Sequence, residues 1–191
     1  RPAGDESEVY FDATAPAELT IVIAPEDVEK LKADARAYVP FVLMENGKEV
    51  ARGGGVKLKG AAGSFREFDD RPALTIKLDK FGGSSRFHGL EKFHLNNSVQ
   101  DESLLNEWVC SEVFRSAGYP APRVSHARVR INDRDLGFYV LKEGFDRRFL
   151  ARNFRRPNGN LYDGGFCQDL DAELELDLSG GEKERADLKR L

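Results

Sequence analysis

Apolar and polar residues alternate with a period of two in several short segments of this chain, the pattern of strands with one face buried. Leu19 to Ile23, Tyr38 to Met44, Val56 to Lys59, Ala73 to Leu78, Lys92 to Leu95, Val124 to Ile131 and Leu136 to Leu141 read this way or as short β-prone runs. Glu45-Asn46-Gly47-Lys48 and Asn132-Asp133-Arg134-Asp135 are hairpin turns. The period lengthens to that of a helix in three places. Pro25-Glu26-Asp27 sets a proline and two acids in a first turn, which predicts a helix to about Ala35, and Phe145 to Asn153 predicts a short one. The longest is Asp101 to Gly118, capped by Asp101 or Ser103 and ended by Gly118 and Pro120. The order of elements predicts an α+β fold: a mostly antiparallel sheet with a central helix.

At about 100° per residue, Leu104, Leu105, Trp108 and Val109 share one face of that helix, and Glu112 falls within the same face. A carboxylate on an inward apolar stripe needs a cation or strong donors. The alternating run Leu74-Thr75-Ile76-Lys77-Leu78 offers Lys77 on its polar side, so Glu112 is expected to approach Lys77. The alternative is that Glu112 lies at the edge of the stripe and reaches water. Between two strands, Gly60-Ala61-Ala62-Gly63-Ser64-Phe65-Arg66 is a small-residue loop whose N–H groups can approach a phosphate, with Ser64 and Arg66 as added donors. The same composition also serves an ordinary flexible connection, and the loop matches neither the Walker nor the dinucleotide pattern.

Composition removes several classes. Net charge is −4 with 32% charged residues, so nothing suggests a generic nucleic-acid binder, and no apolar run is long enough to span a membrane. The two cysteines, Cys110 and Cys167, stand far apart with no CxxC, and His88, His94 and His126 lack metal-ligand spacing. No Ser/His/Asp arrangement is readable from order alone. Asn96-Asn97-Ser98 is formally a glycosylation sequon. Residues 1–17 are a polar lead-in with Val9, Tyr10 and Phe11 as its anchor, and the chain starts at Arg1 without a signal peptide, as a trimmed product does. Asp169 to Asp177 reads as an acidic loop or edge strand, and Gly181 to Leu191 as the beginning of a helix.

An ordered set of motifs resembles the spore coat protein H family, the CotH kinase-like proteins. The motifs are V-K-L-K-G with its small-residue loop, L-T-I-K-L, G-L-x-K-F-x-L-N-N at Gly89 to Asn97, and the D-x-S-L helix with F-R-x-A-G-x-P-A-P-R ending at Arg123. I-N-D-x-x-L-G-F-Y-V-L-K-E at Ile131 to Glu143, F-D-x-R-F-L, and G-N-L-Y at Gly159 to Tyr162 complete it. The resemblance implies an atypical protein-kinase fold, with 18–143 as its smaller lobe and 144–191 as the crossing and the start of the larger lobe. It implies ATP with Mg2+ or Mn2+ and a protein serine acceptor, on a coat or surface protein. The implied nucleotide site is Gly63, Ser64, Arg66, Lys77 and Glu112, with Glu107 as the alternative carboxylate and with Lys142 and Glu143 offering backbone groups to adenine. Asn106 occupies a slot where the family often has arginine. The family's metal-binding and catalytic aspartates are expected beyond Leu191, so the 191 residues alone are expected to be inactive. A coat-associated, surface or secreted setting follows from the same resemblance. A non-catalytic coat or surface module is the other reading.

Overall fold

A computed structural model describes residues 6–12, 15–83, 86–164 and 175–178, and the chain divides into two units, Arg1–Gly144 and Phe145–Leu191. The first unit holds α1 (Glu6–Phe11), β1 (Ala17–Val22), α2 (Pro25–Ala33), β2 (Val39–Glu45), β3 (Lys48–Lys59), β4 (Ala73–Lys77), β5 (Lys92–Asn96), α3 (Asn106–Ser116), β6 (Val124–Ile131) and β7 (Arg134–Glu143). Its seven strands close into a barrel in the order β1-β2-β3-β4-β5-β7-β6. Six neighbours pair antiparallel, and β1 closes the ring by running parallel to β6, from Ala17 opposite Ala127 to Ile21 opposite Ile131.

The barrel replaces the expected α+β lobe with its central helix. Alternation marks which face of each strand is apolar, but not whether the last strand returns to the first. Once β6 meets β1, the apolar faces turn inward and cover one another, with Ile21, Leu43, Leu58, Ile76, Leu95, Leu141 and Val129 fully buried, one from each strand. No helix is then needed at the centre. Helix α3 lies outside, against β6.

The closing seam is held by Asn132, in the left-handed region at φ 51° just beyond β6. Its Oδ1 accepts from Ile23 N–H at 2.8 Å and its Nδ2 donates to Ile23 O at 3.1 Å, carrying the β1–β6 pairing past the strand ends. Asn132→Ala should lower stability by about 2 kcal/mol, because it removes both bonds and puts a less tolerant residue at a positive φ. Urea unfolding reads this as a lower midpoint at unchanged slope; an unmoved midpoint would remove Asn132 from the seam.

Helix α1 docks by side chains. The Tyr10 ring stacks on His88 at 4.8 Å, Ser7 Oγ accepts from Arg123 Nη2 at 2.7 Å, and the Arg123 guanidinium lies 4.6 Å over the Phe11 ring.

In the second unit, α4 (Arg147–Asn153) is capped by Asp146, whose Oδ1 accepts from the N–H groups of Arg148 and Phe149, both at 2.9 Å. Strands β8 (Leu161–Asp163) and β9 (Glu175–Leu178) pair antiparallel. Cys167, most of the acidic 169–177 stretch and the expected helix at 181–191 lie outside the described residues. Among the described residues no helix is long and apolar enough to cross a membrane.

Candidate functional site

With apolar residues pointing into the barrel, the alternate positions of β3, β4, β5 and β7 face outward, and they are strongly basic. Lys57, Thr75, His94 and Lys142 are successive cross-strand neighbours in one row. Gly55, Lys77 and Lys92 form the next. Directly opposed residues stand about 5 Å apart at Cβ, where like charges repel, so Lys77 opposite Lys92 is an arrangement that favours a polyanion. Lys59, two residues beyond Lys57, Nζ-donates to Asn96 Oδ1 at 2.8 Å.

Helix α3 brings one carboxylate to this face. Glu107 accepts from Asn96 Nδ2 at 2.7 and 2.8 Å and lies 3.3 Å from Lys142 Nζ. Asn96 therefore bridges Lys59 and Glu107, and a cavity of about 320 Å³ opens beside them, lined by Lys59, Gly60, Ser64, Asn96, Asn106 and Glu107 among others.

Burial, then the nearby Lys142 and Lys92, push the Lys59 ammonium down to about 8, against an attraction from Glu107. An unfolded chain holds that proton up to the ordinary 10.5, so this group disfavours folding below about pH 8, and the penalty fades as pH rises between the two values. His94 is pushed to about 2 by burial and by Lys59, Lys92, Lys142 and Lys57, and remains a neutral ring with Nδ1 3.2 Å from Thr75 Oγ1. The face thus carries lysine ammoniums around a neutral histidine, and Glu107 as its carboxylate.

The structure redistributes the expected site residues. Asp101 lies outside the helix and folds a turn before it, accepting from Ser103 N–H and Oγ, while its other oxygen accepts the N–H of Asn106, the first residue of α3; Leu104 takes φ 60°, and α3 begins only at Asn106. The helix then presents Glu107 and Ser111 inward and leaves Leu105, Trp108, Val109, Val113 and Phe114 exposed. Glu112 pairs instead with Arg115 on its own helix at 3.2 Å. Lys77 lies on the basic face, opposite Lys92. Ser64 lines the cavity, but its Oγ is engaged with Ala61 N–H at 3.1 Å, and Arg66 donates to Phe65 O at 2.7 Å and Gly63 O at 3.2 Å. Gly63, at φ 84°, packs so closely on Gln100 that a Cβ there would meet its amide. The loop is a self-bonded turn, further tied by Asn97 Nδ2 to Ser64 O at 3.1 Å.

At the barrel exit, Glu143 N–H donates to Arg123 O at 2.9 Å and Gly144 N–H to Lys92 O at 3.0 Å. The Glu143 side chain is 1% exposed and clamps Arg123. Lys142 contributes its side chain to the basic face. Lys57, Lys59, Lys92, His94 and Asn96 do not stand out as a phosphate site in the sequence, although each occupies a polar position next to a buried residue in V-K-L-K or K-F-H-L-N. Pairing those alternations across three strands is the signal that would have found them. Asn96, the sequon asparagine, is engaged by Glu107 and Lys59.

Residues 56–190 match the family described as CotH kinase protein. The chain belongs to the CotH family. The match begins at Val56, so it takes in the whole basic face from Lys57 to Lys142 as well as Glu107. The chain is also similar to the inner spore coat protein H of Bacillus subtilis strain 168, with 24% identity over 158 residues. That alignment covers 82% of this chain and 40% of the relative, so the chain spans well under half of that protein's length.

Proposed function

We propose that this chain is the nucleotide-binding part of a CotH-type protein kinase, holding the phosphates of ATP on the outer face of the barrel. The observation that carries the reading is the convergence of Lys59, Lys92 and Lys142 around neutral His94, with Glu107 held 3.3 Å from Lys142 Nζ. Kinases act chiefly by positioning phosphates and neutralising their charge, and ammonium groups supply that. Glu107 orients Lys142, while Asn96 joins Lys59 to the same carboxylate. The 320 Å³ cavity opens beside Lys59 and is lined by amides and hydroxyls and by the carboxylates of Asp101 and Glu107, both already engaged, the first by Ser103 and Asn106 N–H and the second by Asn96 and Lys142. Among the described residues no three His, Cys, Asp or Glu side chains gather to hold a metal, so Mg2+ or Mn2+ at this face would be carried on the phosphates. ATP supplies the transferable phosphoryl group. Transfer to a serine of a coat or surface protein belongs to the whole polypeptide, and coat association follows the spore coat relative.

Isothermal titration of the 191-residue chain with ATP and MgCl2 tests this. Saturable binding is expected, with about 2.7 kcal/mol of added stability at a hundredfold excess over Kd. No heat and no change in melting temperature would favour a non-catalytic coat module.

A further inference from the structure

We propose that Lys59 is a proton-gated anchor for the polyphosphate: the anion binds together with a proton that Lys59 takes up from water. This rests on the nucleotide reading above and adds a regulated step to it.

The geometry supplies the reason. Lys59 Nζ donates to Asn96 Oδ1 at 2.8 Å at the wall of the cavity, half-buried, and Asn96 passes its own donors to Glu107. From the strands, Lys57, Lys77, Lys92, His94 and Lys142 share this face. From α3 comes Glu107, already shared with Lys142, while the Asp101 carboxylate before the helix is taken up by Ser103 and Asn106 N–H. Around the loop, Arg36 donates to Gly60 O and Arg66 to Gly63 O, and on β6 His126 Nε2 meets Leu104 O. Positive groups therefore outnumber carboxylates around Lys59, and a further proton there is disfavoured while no anion is bound. A polyphosphate carrying several negative charges reverses that local potential and makes the protonated amine the favoured form.

Proton binding and anion binding then strengthen each other, as any two linked ligands must. Lys59 titrates near 8 in the free chain. If the bound anion lifts it by about two units or more, affinity falls roughly fivefold from pH 8 to 9 and roughly twentyfold from pH 7 to 9.5. The terminal phosphate of the ligand has finished ionising by then, since its last proton leaves near about pH 6.

The test is calorimetric titration of the full chain with ADP and with ATP at pH 7, 8, 9 and 9.5. Two buffers of different ionisation heat at pH 8 report the proton directly. The wild type should lose affinity as stated and take up about half a proton per ligand at pH 8. Lys59→Arg, whose guanidinium stays charged throughout, should lose the pH slope whatever its affinity at pH 7. Lys59→Gln, a second variant for the case in which arginine is too large, should bind more weakly at pH 7 and also show no slope. A flat wild-type profile, or a slope of the same size in Lys59→Arg, overturns the proton gate while leaving the nucleotide site standing. Absence of binding to either ligand at every pH in a folded wild type overturns the nucleotide site itself, and the gate with it.

Discussion

Glu143→Gln should lower the melting temperature by about 6–20 °C, the largest stability loss we expect from one side chain on this barrel. Arg123 and Glu143 have side chains 7% and 1% exposed, with Nη2 donating to Oε1 at 2.8 Å. Glu143 Oε2 also accepts the Arg123 backbone N–H at 3.1 Å, and Arg123 reaches on to Ser7 Oγ and the Phe11 ring. The amide variant preserves shape but removes the Glu143 charge from the buried Arg123 guanidinium. Losing one partner of such a pair typically costs about 3–5 kcal/mol, and a chain of this size shifts by about 2–4 °C per kcal/mol. Replacing both residues, as Arg123→Met with Glu143→Leu, should recover part of the loss, since an apolar pair leaves no charge buried. Full recovery is not expected, because the Arg123 backbone N–H loses its acceptor. Circular dichroism melting of the two variants decides it. A Glu143→Gln melting point within 2 °C of wild type would mean that water reaches the pair.

Lys142→Ala should weaken ATP binding by about 10- to 100-fold without unfolding the chain. A charge-assisted bond to phosphate is worth about 1.5–3 kcal/mol, and about 1.4 kcal/mol is tenfold in Kd. Lys142 is partly exposed and its observed partner is Glu107, so its removal opens no cavity in the core. Glu112→Gln is the matched control. Its carboxylate engages Arg115 on the exposed side of α3, and affinity should stay within about twofold, as is usual for a surface ion pair. The reverse result, with Glu112→Gln crippling and Lys142→Ala silent, would restore the expectation drawn from the helical wheel and remove Lys142 from the site.

That wheel shows where sequence reasoning lost the site. An apolar stripe is ordinarily the buried face, which turns Leu105, Trp108 and Val109 inward and Glu112 with them. On the barrel those side chains are exposed, and the inward positions are Glu107 and Ser111. The helix start moved for a related reason: Asp101 can cap a helix or close a turn, and the left-handed Leu104 selects the turn. Lys77 and Lys142 both follow from strand alternation. Which lysine would meet the carboxylate depended on strand register across four strands and on the seating of α3, neither of which is encoded by local spacing.

Local chemistry determined the strand segments, the Asn46-Gly47 turn with both residues at positive φ, the two-residue Asn132-Asp133 connection and the family itself. These rest on steric preferences of one to four consecutive residues and on ordered motifs, so they are present in the chain before it folds. Closure of the sheet, the outward placement of α3, and the gathering of Lys59, Lys92, His94 and Lys142 were decided only in three dimensions. The parallel seam joins strands separated by most of the barrel's sequence, and a charge cluster drawn from three strands exists only once register has fixed which side chains stand side by side.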